Sequence, residues 1–456
     1  MRQRWKTNIG ALLSLAILSV LLAACGGNDT NAGKSSNAAA TPSATTETKE
    51  SSNAEPAEKT AEDYSGTITL WGWDTNYYEK TFAEFQKVYP NVKLEVTNVS
   101  TADYIQKIQT TLAAGGELPD LLAAESAYRG KLYEMDIWEN LSGAPYNFDA
   151  SSVFDYLTAL TSNSKGEIVG IEQTLSPAAL AYRRDLAKQY FGTDDPKELK
   201  AMFPTWDEFV AKGKEVKDQH GVHMFSSLGD VNTILSAQSK TPIYDGTAVD
   251  VTGRIKPILD KVVQFRDAGI VGKLEQWSPQ WNASYATGEA IFYPAANWSP
   301  QYLIKTNDAD GEGRWGLMLP PEGPFSWGGT TFGITKNSKN KELAWLYIKW
   351  LLLSEEGANV SKSLDFYVPL KSVYEDPGFA SSPDSFFAGQ DIGAFWIQEV
   401  VPAIDTPQIS QYDSIVNDST SLVMNVLNAN AKETADNALG KLIEDLKGKL
   451  PEVEIK

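Results

Sequence analysis

The stretch Gly66-Thr-Ile-Thr-Leu-Trp-Gly-Trp-Asp74, read with the fifty residues after it, decides the fold of this chain. Thr67 to Trp71 are strand formers, and the strand stops near Gly72. From Tyr77 to Tyr89, the residues Tyr78, Phe82, Phe85 and Val88 recur at helical spacing, and Pro90-Asn91 ends the run. Val92-Lys-Leu-Glu-Val96 alternates as a strand. Thr101 to Ala114 puts Tyr104, Ile105, Ile108 and Leu112 on one side of a helix that stops at Gly115-Gly116. Pro119 to Ala124 reads as a short buried strand. The order β-α-β-α-β predicts a parallel sheet covered by helices.

Further along, Ile168 to Arg184 holds two strand-like pieces. Trp206 to Val216 is a helix with Thr205 as its N-cap. Pro257 to Ala268 is another. Thr330 to Thr335 reads as a strand, and Lys341 to Leu353 as a strongly apolar helix. Asp418 to Lys447 is an amphipathic run long enough for two helices. There is no internal repeat.

The N-terminus has a different character. Arg2, Arg4 and Lys6 precede an apolar stretch from Ile9 to Ala24, the layout of a signal peptide. It ends in Leu22-Ala23-Ala24-Cys25-Gly26, with the only cysteine of the chain. This resembles the bacterial lipoprotein box, which implies a lipid (palmitate-type) anchor at Cys25. The expected division is 1–24 signal peptide and 25–65 lipidated Cys25 with a Ser/Thr/Ala/Asn-rich tether too polar to fold. That places the body outside the cell, held on the membrane surface, as in a Gram-positive envelope.

A single cysteine leaves no intramolecular disulfide, Fe–S cluster or cysteine zinc site. The net charge of −19 disfavours nucleic acid. His220 and His223 form no His-Glu-x-x-His pattern, and no Gly-x-Ser-x-Gly elbow is present. Thr306 to Leu317 superficially matches a calcium loop but fails at its first and twelfth positions. No cofactor and no metal is expected, and no catalytic residue is assigned. Binding is the class of function left.

A neutral polyhydroxylated solute needs aromatic faces for its C–H surfaces and polar side chains for its hydroxyls. The chain has 13 Trp, and several stand in Gly-, Pro- or Asn-bearing segments. Trp73 lies beside Asp74, past the first strand. Trp281 closes Trp277-Ser-Pro-Gln-Trp281. Trp298 follows Asn297, Trp327 precedes Gly328-Gly329, and Trp396 follows Gly393-Ala-Phe395. Each could equally be core. Asp74 could cap the helix beginning near Asn76, or accept from a ligand hydroxyl at the carboxyl end of a parallel strand.

Several pieces occur in an order that resembles a known family, the extracellular solute-binding proteins of sugar ABC importers (maltose-binding-like). They are Gly66 to Trp73, Gly115-Gly-Glu-Leu-Pro-Asp120, Ala178 to Asp185 around Tyr182, Phe203 to Phe209, Tyr285 to Trp298 and Gly328 to Lys336. The resemblance covers about residues 66–450. It implies an α/β, two-lobed periplasmic-binding-protein fold, each lobe a mainly parallel sheet flanked by helices. The chain crosses between lobes more than once: 66–175 plus 329–356 in lobe 1, 176–328 plus 357–452 in lobe 2. It implies Trp73, Asp74, Glu125, Tyr182, Trp298 and Trp327 as ligand contacts, with Trp281 and Trp396 secondary. Two departures stand out: Arg183-Arg184 in place of the usual Asn-Lys, and Asn297 in place of glycine before Trp298. The implied function is capture of a sugar or short oligosaccharide by hinge closure and delivery, as a monomer, to an ABC permease. Alternatives are an acidic sugar, which would need Arg129, Arg183 or Arg184 in the cleft, a peptide, delivery to a sensor, or glycoside hydrolysis by paired carboxylates such as Asp74 and Glu125.

Overall fold

The computed structural model describes residues 59–456. The signal segment, Cys25 and the tether as far as residue 58 lie outside the described residues. The folded body starts earlier than the composition suggests. Thr60 donates from its N–H and Oγ1 to Asp63 Oδ2, each at 2.8 Å. Tyr64 meets Tyr89 edge-on at 5.8 Å. A tether through residue 65 is therefore corrected. Tyr64, the one aromatic in the polar run, gives its last residues something to pack.

Nine strands carry the architecture: β1 (Gly66–Gly72), β2 (Val92–Asn98), β3 (Leu121–Glu125), β4 (Ile171–Glu172), β5 (Pro177–Arg183), β6 (Phe292–Ala296), β7 (Trp315–Met318), β8 (Phe325–Ser326) and β9 (Thr330–Ile334). The first sheet has the order β2-β1-β3-β9-β4. β1 pairs parallel with β2 and β3, as the opening pattern predicts, and β9 returns antiparallel between β3 and β4. Its core gathers Ile68, Leu70, Phe82, Phe85 and Phe332 against Tyr347 and Ile348 of the apolar helix Lys341–Leu352. Helix Glu355–Lys362 adds Ala358 to this core, so the chain stays with the first sheet past residue 356, where the sequence reading has it cross.

The second sheet is built on β5, with β6 and β7 on either side and β8 pairing its first residues, all antiparallel. Parallel pairing in this lobe is confined to a separate two-residue pair, Ala248–Val249 with Glu454–Ile455, and the isolated bridges His223 to Ala290 and Phe225 to Val271. This corrects the expectation of a mainly parallel sheet here. Every residue of β5 is buried. A strand covered on both faces reads as a continuous apolar run whichever way its neighbours point, so its composition carries no direction. Helices Trp206–His220, Leu228–Gln238, Lys256–Asp267, Asp413–Ala429 and Ala435–Lys449 cover this sheet through Phe209, Val231, Phe265, Val423 and Leu442. The first of them starts at the expected cap, where Glu208 N–H donates to Thr205 Oγ1 at 3.3 Å.

Candidate functional site

The chain passes from the first sheet to the second between β4 and β5, and comes back between β8 and β9. The two crossings are tied together. Trp327 N–H donates to Ser176 O at 3.1 Å, Gln173 N–H to Thr330 O at 2.7 Å, and Ser126 N–H to Gly329 O at 2.9 Å. Gly329 has φ +105°, and a Cβ there would stand 2.9 Å from Ser176 Oγ, so only glycine fits the crossing without strain. Beside it Arg129 and Glu172 form an ion pair, 1% and 2% exposed. Asn297 also braces this point, donating from its N–H to Pro177 O and from Nδ2 to Thr174 Oγ1, both at 3.0 Å. The departure at Asn297 thus serves the crossing.

A cavity of about 520 Å³ opens between the lobes at this seam. Ser126 and Ala127, just past β3, line it from the first lobe. From the second lobe come Gln276, Trp277 and Trp327, the Asn232–Thr233 turn of helix Leu228–Gln238, and one face of helix Asp413–Ala429. Three tryptophans form a platform at one end. Trp298 and Trp327 have ring centroids 4.8 Å apart, and Trp298 Nε1 donates to Trp327 O at 3.1 Å. Trp277 lies 5.8 Å from Trp327 and stacks on Trp298 at 6.4 Å and 21°. Trp277 is 52% exposed, an unusual state for a tryptophan and the kind of apolar face a ligand covers.

The backbone under Trp277 has φ +69°. A buried network holds its neighbours. Asp230, fully buried, accepts from Ser226 Oγ at 3.1 Å, Gln276 Nε2 at 3.1 Å and Trp281 Nε1 at 2.9 Å. Gln276 and Trp281 bracket Trp277, so one carboxyl fixes both ends of the segment that presents it. Burial pushes the Asp230 carboxyl up to about 7, against those hydrogen bonds. The folded protein thus keeps a proton that the unfolded chain loses above about pH 4. Its stabilising share is full below that pH and is lost as pH rises through about 7. For Asp230→Asn, whose amide does not titrate, denaturant melts are expected to lose less stability between pH 5 and pH 8 than the parent. Equal losses would remove Asp230 as the group responsible.

The sequence-predicted residues divide. Trp298 and Trp327 are packed together, and of the two Trp327 lines the cavity. Trp73 is half-buried on the first lobe, edge-on to Tyr104 at 5.5 Å and Tyr128 at 6.4 Å. Asp74 caps the first helix, accepting from Tyr77 N–H at 3.2 Å, and its other oxygen accepts from Tyr302 Oη of the second lobe at 3.1 Å. Glu125 is drawn into its own loop, accepting from Ser126 Oγ and Ala127 N–H, both at 2.8 Å. Three others go to the core. Tyr182, with no exposed surface, donates to Asp194 O at 2.6 Å. Trp281 is buried on Asp230, and Trp396 is buried against Phe395.

The arginines considered for an acidic ligand are all engaged. Arg183 pairs with Asp185 at 2.7 Å, Arg184 with Asp194 at 2.7 Å, and Arg129 with Glu172. The supposed calcium loop is a polar turn in which Asp308 accepts from Trp315 Nε1 at 2.8 Å and pairs with Arg314.

Sequence reasoning chose Trp281 from its segment and passed over Trp277. A signal was present. Ser278-Pro279 is an N-cap followed by proline at the first helical position, and Ser278 Oγ accepts from Trp281 N–H. Trp277 therefore precedes the helix and projects, while Trp281 sits in its first turn and packs. For Asp230 no such signal exists, since an acid in the first turn of a helix ordinarily faces water.

Comparison with known proteins agrees with this geometry. The pattern of the bacterial extracellular solute-binding proteins matches residues 80–388. A lactose-binding protein of Rhizobium radiobacter is 24% identical over 420 residues, spanning 84% of this chain and 92% of its own. A crystal structure of an extracellular solute-binding protein of family 1 superposes with a TM-score of 0.76 at 21% identity, over 84% of this chain and 99% of that one. The galacto-N-biose/lacto-N-biose I-binding protein of a Bifidobacterium longum ABC transporter, solved with lacto-N-biose, gives 0.69 at 19% identity, over 86% and 99%. At such identities the structural matches carry the two-lobed fold alone. The family pattern spans well over half of the chain, and this protein belongs to the bacterial extracellular solute-binding proteins.

Proposed function

We propose that this protein captures an uncharged sugar in the cavity between its lobes, closes on it by a hinge, and delivers it to an ABC permease. The observation that carries this reading is the cluster of Trp277, Trp298 and Trp327, of which Trp277 and Trp327 line the cavity beside the amides and hydroxyl of Asn232, Thr233 and Gln276. Flat aromatic faces take the C–H side of a sugar ring, and the polar groups take its hydroxyls. The pairing of Arg129, Arg183 and Arg184 within the fold supports a neutral ligand over an acidic one. The sugar-binding relatives, among them one for lactose and one for lacto-N-biose, support the same class. Asp74 and Glu125 spend their carboxylates on helix and loop N–H groups, and the relatives are binding proteins, which supports a binder over a hydrolase.

The moving bodies in this proposal are the two lobes, joined at Gln173–Ser176, at Trp327–Gly329 and by a third passage between helices Glu355–Lys362 and Asp413–Ala429. The body would be held outside the cell by a lipid on Cys25. Closure is favoured only as far as the closed form holds the solute better. Isothermal titration with neutral and acidic mono- and oligosaccharides tests the reading. Saturable binding of a neutral sugar is expected, and absence of binding to every carbohydrate would overturn it.

The bond from Tyr302 to Asp74 is one of the few polar contacts that span the lobes directly. Burial, and then the Asp74 carboxylate, push the Tyr302 phenol above its ordinary value, so it stays a donor at physiological pH. Tyr302→Phe is expected to weaken sugar binding about fivefold, the worth of about 1 kcal/mol for one such bond, and to enlarge the unliganded body in small-angle scattering. Unchanged affinity and size would show that this bond does not bias closure.

A further inference from the structure

The tryptophans occupy one end of the cavity. Part of its second-lobe wall is helix Asp413–Ala429, which contributes Ser414, Asn417, Ser421, Asn425 and Asn428 to the lining. Their spacing of three, four, four and three residues keeps them on one helix face, about 21 Å from first to last. In a chain of net charge −19, the exposed faces of other helices are charged. The neighbouring Ala435–Lys449, for example, carries Asp436, Lys441, Asp445 and Lys449 in ion pairs. Apart from Asp413 at its first residue and Met424, the residues this helix presents to the cavity are amides and hydroxyls.

A second feature of the wall is a buried cation. Arg254 lines the same cavity at 9% exposure. Its terminal nitrogens donate to the carbonyls of Ser236, Ser239 and Thr241, which close the end of helix Leu228–Gln238. Its Nε has no hydrogen-bond partner. A buried donor left over in this way is costly unless something else accepts from it. Asp413 stands near enough to act on Arg254 electrostatically, so the wall as a whole is close to neutral.

We infer that this helix face is an extended subsite, and that the preferred ligand is a neutral oligosaccharide with its first two rings at the tryptophans and at least one further unit along helix Asp413–Ala429. The inference rests on the sugar reading above and specifies its chain length. The first two rings are held by aromatic faces. Later units are held edge-on by the side-chain amides and hydroxyls, which reward each added ring with hydrogen bonds that a shorter ligand leaves to water.

The test is calorimetric titration of two series: lactose with its galactosyl-extended tri- and tetrasaccharides, and maltose through maltotetraose. The parent protein is expected to gain at least tenfold in affinity from the disaccharide to a longer member of the series it recognises. The double variant Asn417→Ala/Asn425→Ala is expected to lose that gain while its disaccharide affinity stays within twofold of the parent. Alanine at exposed helix positions favours the helix, so the variant should fold, which its circular dichroism and melting temperature would verify. If the disaccharide binds with no gain for longer ligands, or the gain survives in the variant, the subsite is overturned and the sugar reading stands. If disaccharide and longer ligands weaken equally in the variant, the face belongs to the disaccharide site and the extended subsite is again overturned. If no member of either series binds while another carbohydrate does, the subsite as proposed is overturned. If no carbohydrate binds at all, both the subsite and the sugar reading fall.

Discussion

Trp327→Ala is expected to weaken carbohydrate binding by at least tenfold, about 1.4 kcal/mol. Trp327 is half-buried, lines the cavity, and supplies the carbonyl that holds Trp298 Nε1. Removing its ring takes away a stacking face and the packing on one side of Trp298, while the bond from Trp298 Nε1 to the main-chain carbonyl of residue 327 remains. An aromatic contact is worth about 0.5–1.5 kcal/mol beyond the area it buries, and the buried area adds to that. The backbone bond from Trp327 N–H to Ser176 O remains, so the crossing keeps its path. Trp298→Ala is expected to match it, because the two rings form one surface. Titration calorimetry with the recognised sugar, alongside a melting curve, separates lost contact from lost fold. Tenfold weaker binding with a melting temperature near the parent supports the platform. Unchanged affinity removes Trp327 from the site.

Glu172→Ala is expected to destabilise the folded body by about 3–5 kcal/mol. Arg129 is 1% exposed, and a guanidinium stays charged at any relevant pH. With Glu172 gone, its remaining hydrogen bond is to Leu160 O at 3.3 Å, and Nε is already without a partner. Desolvating that cation with no carboxylate beside it is the dominant cost. The pair also abuts Gly329 at the crossing, so loosening it should raise hydrogen exchange at Gly329 and Ser176 before the rest of the sheet. Replacing both partners, Arg129→Met with Glu172→Leu, is expected to recover much of the loss, since no buried charge is then stranded. Urea melts of the single and double variants make the comparison. A single variant as stable as the parent would contradict the assignment.

How much of this was legible in the sequence varies by element. β1, β2, β3 and their helices follow from periodicity, because each has one face to bury and a clear stop signal. The Thr205 cap on helix Trp206–His220 was equally legible, being local chemistry between residues three apart. The site was only half legible. Trp298 and Trp327, expected as contacts from their Asn- and Gly-bearing surroundings, pack on each other, and Trp327 lines the cavity. Trp281 and Trp396, expected from similar surroundings, and Tyr182, implied by the resemblance, are buried. Aromatic residues look alike in sequence whether they stack on a ligand or on one another.

Local order, then, was determined by the sequence itself: the strands and helices of the first sheet, the helix caps, and the family signature from Gly66 to Lys336. Composition likewise set the exclusion of thiol chemistry and the acidic balance. The tertiary structure alone decided the direction of the strands around β5, the packing of Tyr64 and helix Glu355–Lys362 onto the first lobe, and which tryptophans face the cavity. It also decided that Arg129, Arg183 and Arg184 are engaged within the fold and that Asp230 braces Trp277. The reason is range. Propensity, capping and periodicity act within a few residues along the chain. Partners such as Asp74 with Tyr302, or Trp277 with Trp327, are set by which surfaces the whole chain can bury together.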